Sequence, residues 1–70
     1  MSESVYKVIE LVGTSPTSWE EAAKLAVEKA SKSLRDLRVA EVTKLDMKVE
    51  GPGVVAYRAR LSVSFKFEGQ

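Results

Sequence analysis

Residues 18–37 have the pattern of one amphipathic helix, and the rest of a chain this short has to pack against it. Ser18 and Glu21 have the spacing of a capping box, which marks where the helix begins. Apolar residues recur every three or four positions, as they do on one helical face. They are Trp19, Ala23, Ala26, Val27, Ala30, Leu34 and Leu37. Because most of this stripe is alanine, we expect a flat partner, a β-sheet, to approach the helix axis closely.

The length of the chain, 70 residues, predicts a single domain over residues 1–70. Such a domain buries only about 60% of the surface that its unfolded chain exposes, so it usually needs a disulfide, a metal or further subunits. The chain has no cysteine, which excludes the disulfide. It also has no apolar run of the roughly 20 residues that span a bilayer and no basic signal-peptide start. We therefore expect a soluble cytoplasmic protein without a membrane partner.

Charge and residue types exclude further classes of function. Eleven basic and ten acidic residues give a net charge of +1, so no strong overall field directs the chain to nucleic acid. The chain has no histidine, the commonest general base near neutral pH and the commonest transition-metal ligand. Without histidine or cysteine there is no familiar nucleophile–base pair. We therefore do not expect an enzyme.

Three β-strands are predicted around the helix. Residues 5–12 are rich in β-branched side chains and apolar on both faces, so this strand needs a cover on each side. Residues 38–50 and 54–67 form strands two and three, joined by a Gly-Pro-Gly turn. The inward positions of strand two change phase between Val42 and Leu45, which predicts a β-bulge near Thr43 and Lys44.

The order of elements is β-α-β-β, which indicates an α+β fold. A right-handed crossover makes strand two parallel to strand one, and the hairpin returns strand three antiparallel to both. A three-stranded antiparallel sheet in the order 1-3-2, wrapped around the single helix, satisfies these constraints. Both edges of this sheet are open, and long open edges favour association with further copies. The sequence therefore predicts a large homo-oligomer.

Several segments resemble one known family, the dodecins. They are VYKVIELVGTS at residues 5–15, SLR at 33–35, AEV at 40–42, Tyr57, and VSFKFE at 63–68. The dodecins are small β-α-β-β proteins that assemble into hollow dodecamers and commonly bind flavins. The resemblance covers nearly the whole chain, and it implies a homododecamer that binds or stores a small ligand.

The resemblance also identifies two positions that bind flavin in the family. Flavin-binding dodecins carry a stacking tryptophan just before the Ala-Glu-Val segment and a glutamine just after the tyrosine of strand three. The corresponding residues here are Val39 and Arg58. Valine offers no aromatic plane, and arginine donates hydrogen bonds without accepting them. We therefore do not expect flavin binding in the usual mode.

A second resemblance, to a branch called calcium dodecins, implies a different ligand. It is carried by GTSPTSWE at residues 13–20 and by the Asp46-Met47 pair. Calcium prefers several oxygen ligands, above all carboxylates. We predict Asp46 as the first ligand, with Glu50 and Glu10 in support, at a site assembled in space between elements or subunits.

Other interpretations remain open for these residues. Asp46 and Glu50 alternate with lysines, as on a charge-balanced solvent face, and the oligomer could be a structural shell or scaffold with no dedicated ligand. Arg58, Arg60 and Lys66 could form a basic nucleotide- or nucleic-acid-binding face on strand three. That face lacks aromatic stacking residues, so nucleic acid is not the expected partner. Trp19, on the apolar helix stripe, is interpreted as a core anchor rather than a ligand platform.

Overall fold

The computed structural model describes residues 4–66 as one sheet and one helix. In chain order the elements are β1 (Tyr6–Ser15), α1 (Trp19–Ser33), β2 (Leu37–Glu50) and β3 (Gly53–Lys66). β3 lies between the other two strands and is antiparallel to both, so the strand order is β1-β3-β2. This architecture confirms the predicted α+β fold and the predicted strand order. The last residue predicted for strand three, Phe67, lies outside the described residues.

The beginning of α1 is as predicted, but its end is not. The Ser18 hydroxyl accepts a hydrogen bond from the Glu21 amide at 3.0 Å, as a capping residue does. The helix ends at Ser33 rather than at Leu37, so the predicted end is wrong. Asp36 has a φ of 61°, a left-handed conformation that redirects the chain. Leu37 then begins β2 opposite Phe65 and packs against the core from the sheet.

β1 is longer than predicted, because it continues through Gly13 and Thr14 to Ser15. These residues pair with the stretch of β3 from Ala59 back to Tyr57. The extra pairing brings Gly13 directly under the helix. A Cβ atom at Gly13 would overlap the carbonyl oxygen of Ala22. The close approach of sheet and helix that the alanine stripe predicts is therefore confirmed.

The core lies between α1 and the face of the sheet made by alternate residues of β3. Its buried members are Ala22, Ala26, Ala59, Leu61 and Val63. Ala22 is absent from the stripe predicted above, yet none of its surface is exposed. The buried face of the helix is thus centred on Ala22 and Ala26, slightly to one side of the predicted line.

The predicted bulge in β2 is confirmed at Thr43. Val42 pairs with Leu61, but the next paired residue is Lys44, opposite Arg60, so Thr43 is the extra residue. Its hydroxyl donates a hydrogen bond to the Arg60 carbonyl oxygen at 3.1 Å. The bulge changes the phase of the strand. As a result, the apolar side chains before and after the bulge all lie on the face of the sheet that α1 covers.

Large apolar surfaces remain uncovered in the described part of the chain. The helix lies mainly over β1 and β3, so the helix-facing residues of β2 are exposed. These are Val42, Leu45, Met47 and Val49. Val8 and Val12, on the opposite face of β1, are exposed as well. Within residues 4–66 no helix combines the length and the hydropathy needed to cross a membrane.

Candidate functional site

The face of the sheet opposite α1, here called the outer face, carries most of the candidate residues. Successive residues of a strand point to opposite faces, so β3 turns Ala59, Leu61 and Val63 towards α1 and the residues between them outward. The outward residues of β3 include Arg58, Arg60, Ser62, Ser64 and Lys66. Their neighbours on β1 and β2 include Glu10, opposite Ser62, Val39, opposite Ser64, and Asp46, opposite Arg58. Glu50 lies at the end of β2, opposite Gly53.

An ion pair between Asp46 and Arg58 is the best-defined polar contact on this face. The Nε of Arg58 donates to one carboxylate oxygen of Asp46 at 2.7 Å, and its Nη2 donates to the other at 2.9 Å. These hydrogen bonds lower the pKa of the Asp46 carboxyl below its ordinary value of 3.8 and raise the pKa of Arg58. The ion pair therefore stabilises the folded protein fully above pH 3.8. This stabilisation is lost as the pH falls through the lowered pKa of folded Asp46.

The other two predicted ligands face cations at longer distances. An Oε atom of Glu10 lies 3.8 Å from a guanidinium nitrogen of Arg60, and an Oε of Glu50 lies 3.8 Å from the Nζ of Lys48. Both contacts exceed hydrogen-bond length, and both pairs are exposed, so each contributes little to stability. Within residues 4–66, no three acidic side chains are close enough to hold one metal ion together. One subunit therefore does not bring Asp46, Glu50 and Glu10 to a common point.

The two flavin-binding positions of the family also lie on the outer face. Val39 leaves 61% of its surface exposed, and it offers no ring on which a flavin could stack. The guanidinium of Arg58 is already directed at Asp46. The arrangement at Val39 and Arg58 thus lacks both contacts that the resemblance assigns to flavin recognition.

Trp19 contacts the candidate site from the opposite side of the sheet. It is partly buried, and its indole Nε1 donates to the backbone carbonyl oxygen of Asp46 at 3.0 Å. Its ring meets Tyr57 edge-on, with a centroid distance of 5.1 Å and an interplanar angle of 74°. Ala23, Val42 and Leu45 line a neighbouring groove of about 330 Å³ with it. Trp19 is thus half-buried beside the core rather than within it, which corrects the predicted role of core anchor. Asp46 is held through its carbonyl by Trp19 and through its carboxylate by Arg58.

Sequence reasoning missed the two partners of Asp46. The sequence places Arg58 on strand three and Asp46 on strand two, but their pairing depends on the register of the hairpin that joins these strands, which shifts between Lys48 and Val49. Counting back from the Gly-Pro-Gly turn could have placed the two residues near one another. The bond from Trp19 to a backbone carbonyl leaves no signal in the sequence, because any residue type at position 46 would offer the same acceptor.

Comparison with known proteins identifies relatives along almost the whole chain. The family model for Dodecin matches residues 5–68. The calcium dodecin of Mycobacterium tuberculosis is 57% identical over 63 residues, which are 90% of this chain and 89% of that protein. The dodecin of Thermus thermophilus is 41% identical over 64 residues, or 91% of this chain and 93% of that protein.

Solved structures repeat the same arrangement of helix and sheet. The crystal structure of the M. tuberculosis protein, a calcium-chelating dodecin with a novel calcium-binding site, matches with a TM-score of 0.84 at 54% identity and 96% coverage of both chains. The dodecin of Streptomyces coelicolor matches with a TM-score of 0.92 at 37% identity and full coverage of both chains. Agreement in sequence, strand order and fold over this length shows that the chain belongs to the dodecin family.

Proposed function

We propose that the protein is a non-enzymatic, oligomeric binding protein that takes up calcium on the outer face of its sheet. The observation that carries this proposal is the ionised carboxylate of Asp46, which is held at a fixed position and remains half-exposed. The similarity to a calcium dodecin over 90% of the chain supports the choice of ion. Flavin binding in the usual mode is not part of the proposal, because Val39 and Arg58 lack the required contacts.

The donor chemistry of the candidate residues fits a hard cation. Asp46, Glu50 and Glu10 offer only carboxylate oxygens, and the chain contains neither thiolate nor imidazole. Calcium takes six to eight oxygen ligands, whereas zinc and copper favour nitrogen and sulfur. Each Asp46 oxygen accepts one hydrogen bond from Arg58 and retains a second lone pair. Since the described part of one chain gathers no acidic trio, further ligands would come from neighbouring subunits or water.

Subunit association is the first requirement of this proposal, and we expect native light scattering to give the mass of a dodecamer. The exposed apolar residues of β2 and the outer face of β1 would be buried between copies, which lowers the free energy by removing apolar surface from water. A charge at Leu45 should weaken this packing, so Leu45→Glu should give a smaller mass. Lys24→Gln, on the exposed side of α1, is the control and should assemble normally. A monomer mass for the unaltered protein would contradict the proposal.

Calcium should raise the melting temperature of the assembled protein. An ion that binds the folded form alone stabilises it by about 2.7 kcal/mol at a free concentration one hundred times the dissociation constant. The measurement compares melting in calcium with melting in a chelator. Asp46→Asn should abolish the calcium-dependent shift, because it removes the charged ligand. Glu41→Gln is the matched control, since it neutralises another exposed carboxylate of β2, opposite Ser62, and should retain the shift.

The two ways in which this experiment can fail have different meanings. If the unaltered protein melts at the same temperature with calcium and with chelator, calcium binding is refuted. If the shift persists in Asp46→Asn, calcium binds, but its site lies elsewhere on the chain.

A further inference from the structure

The carboxylate proposed above as a calcium ligand already binds a cation of its own chain. Both Asp46 oxygens accept hydrogen bonds from Arg58, at 2.7 and 2.9 Å. The two residues are direct cross-strand partners of β2 and β3, so the backbone register holds them together even though the side chains are exposed. A guanidinium is planar and can donate two parallel hydrogen bonds, one to each oxygen of a carboxylate, and Arg58 does so here. The Asp46 side chain is therefore neutralised before any ion from solution arrives.

Calcium and Arg58 would compete for the same oxygens. A calcium ion approaches a carboxylate through its oxygen lone pairs, and the guanidinium fork occupies one on each oxygen. The ion must displace the fork, or share the carboxylate with it and bear the repulsion of a neighbouring positive charge. In either case the free energy of calcium binding is less favourable than it would be at an unpaired aspartate.

We propose that Arg58 is an affinity-determining residue that acts as an internal counter-ion and competes with calcium for the carboxylate of Asp46. This inference rests on the proposed function, because it concerns the same site. It assigns a role to a residue at which flavin-binding relatives are expected to carry glutamine. Arg58 would keep the site neutral in the absence of calcium and lower its affinity for the ion.

The other ion pairs of this face allow a matched comparison. Arg60 is the next outward residue of β3 and carries the same charge, but it lies 3.8 Å from Glu10 and forms no hydrogen-bonded fork. Its charge also contributes to lowering the pKa of Asp46, so it acts on the same carboxylate through space. Arg60→Gln therefore removes one positive charge near the site and leaves the Arg58–Asp46 pair intact.

The test is calorimetric titration of the chelator-treated, assembled protein with calcium chloride. Arg58→Gln should bind calcium about tenfold more tightly, the change expected when one positive charge about 6 Å from a divalent ion in water is removed. Arg58→Lys should show a smaller gain, about threefold, because an ammonium retains the charge without the two-oxygen fork. Arg60→Gln should gain less than Arg58→Gln, and Asp46→Asn should lose binding.

The direction of the change separates this role from a structural one, because a variant that merely damages the fold loses affinity and does not gain it. The native mass of each variant is measured beside its titration. Equal or weaker binding in both Arg58→Gln and Arg58→Lys overturns the inference and leaves calcium binding in place. Should Arg58→Gln fail to assemble, an affinity of Arg58→Lys no higher than that of the unaltered protein overturns it. Absence of calcium binding in the unaltered protein and in Arg58→Gln alike overturns both the inference and the proposed function.

Discussion

Gly13→Ala is expected to destabilise the protein by about 3 kcal/mol or more, the upper range for overpacking a tight contact. The added Cβ would overlap the carbonyl oxygen of Ala22 and lie 3.0 Å from the Cβ of Ala26. The Ala22 oxygen belongs to the helix backbone, so it cannot rotate away as the end of a side chain can. Relief requires α1 to move off the sheet, and that movement would open the contacts of Ala22 with the core.

Gly53→Ala is the matched control for this substitution. Gly53 begins β3, and a Cβ there would meet no atom within 4 Å among the described residues. Its effect should remain within about 0.5 kcal/mol, as for most surface substitutions. Denaturant unfolding of both variants at equal protein concentration measures the difference, since association makes stability concentration-dependent. Equal stabilities for the two variants would show that helix and sheet are farther apart than described.

The double substitution Val39→Trp with Arg58→Gln is expected to increase flavin affinity by about a hundredfold. Stacking on an aromatic side chain contributes about 1–3 kcal/mol per ring, and the unaltered chain has no aromatic residue at position 39. Glutamine adds a side chain that both donates and accepts hydrogen bonds. Val39 is exposed on the outer face, so a tryptophan there does not disturb the core.

Quenching of riboflavin fluorescence measures this gain. The unaltered protein should quench little, and each single substitution should recover only part of the affinity. Lys24→Trp is the control, because it adds a tryptophan at an exposed position of α1, away from the outer face. Tight quenching by the unaltered protein would contradict the prediction and would mean that other residues have replaced the family contacts. If the double variant does not bind flavin, the region around positions 39 and 58 differs from that of flavin-binding dodecins in more than these two side chains.

Much of the fold was predictable from local patterns. The capping box at Ser18 and the phase change at Thr43 each depend on a few neighbouring residues, and the structure confirms both. The strand order followed from the crossover and the hairpin, because a central position for strand three makes every neighbouring pair of strands antiparallel. These features need no knowledge of distant contacts, and this explains why the sequence was sufficient for them.

The errors arose where distant contacts decide the outcome. Residues 34–37 continue the helical pattern, but the helix ends at Ser33, and Leu37 instead pairs with Phe65 and packs on the core from the sheet. Ala22 was missed because an alanine beside the main stripe gives only a weak periodic signal. The pairing of Asp46 with Arg58 depends on the register between β2 and β3, which shifts at three places. The calcium ligand set remains a prediction, because it depends on how whole subunits are arranged.

Successive side chains of β3 lie on opposite faces of the sheet, so the residues that form the core are separated from those that would determine ligand specificity. Ala59, Leu61 and Val63 face the helix and are buried, whereas Arg58 and Arg60 face away from it and are exposed. A substitution at an outward position of β3 can therefore change the charge or shape presented to a ligand without altering the packing between helix and sheet. In evolutionary terms, such a sheet allows binding preference to diverge while the packing that supports it stays constant.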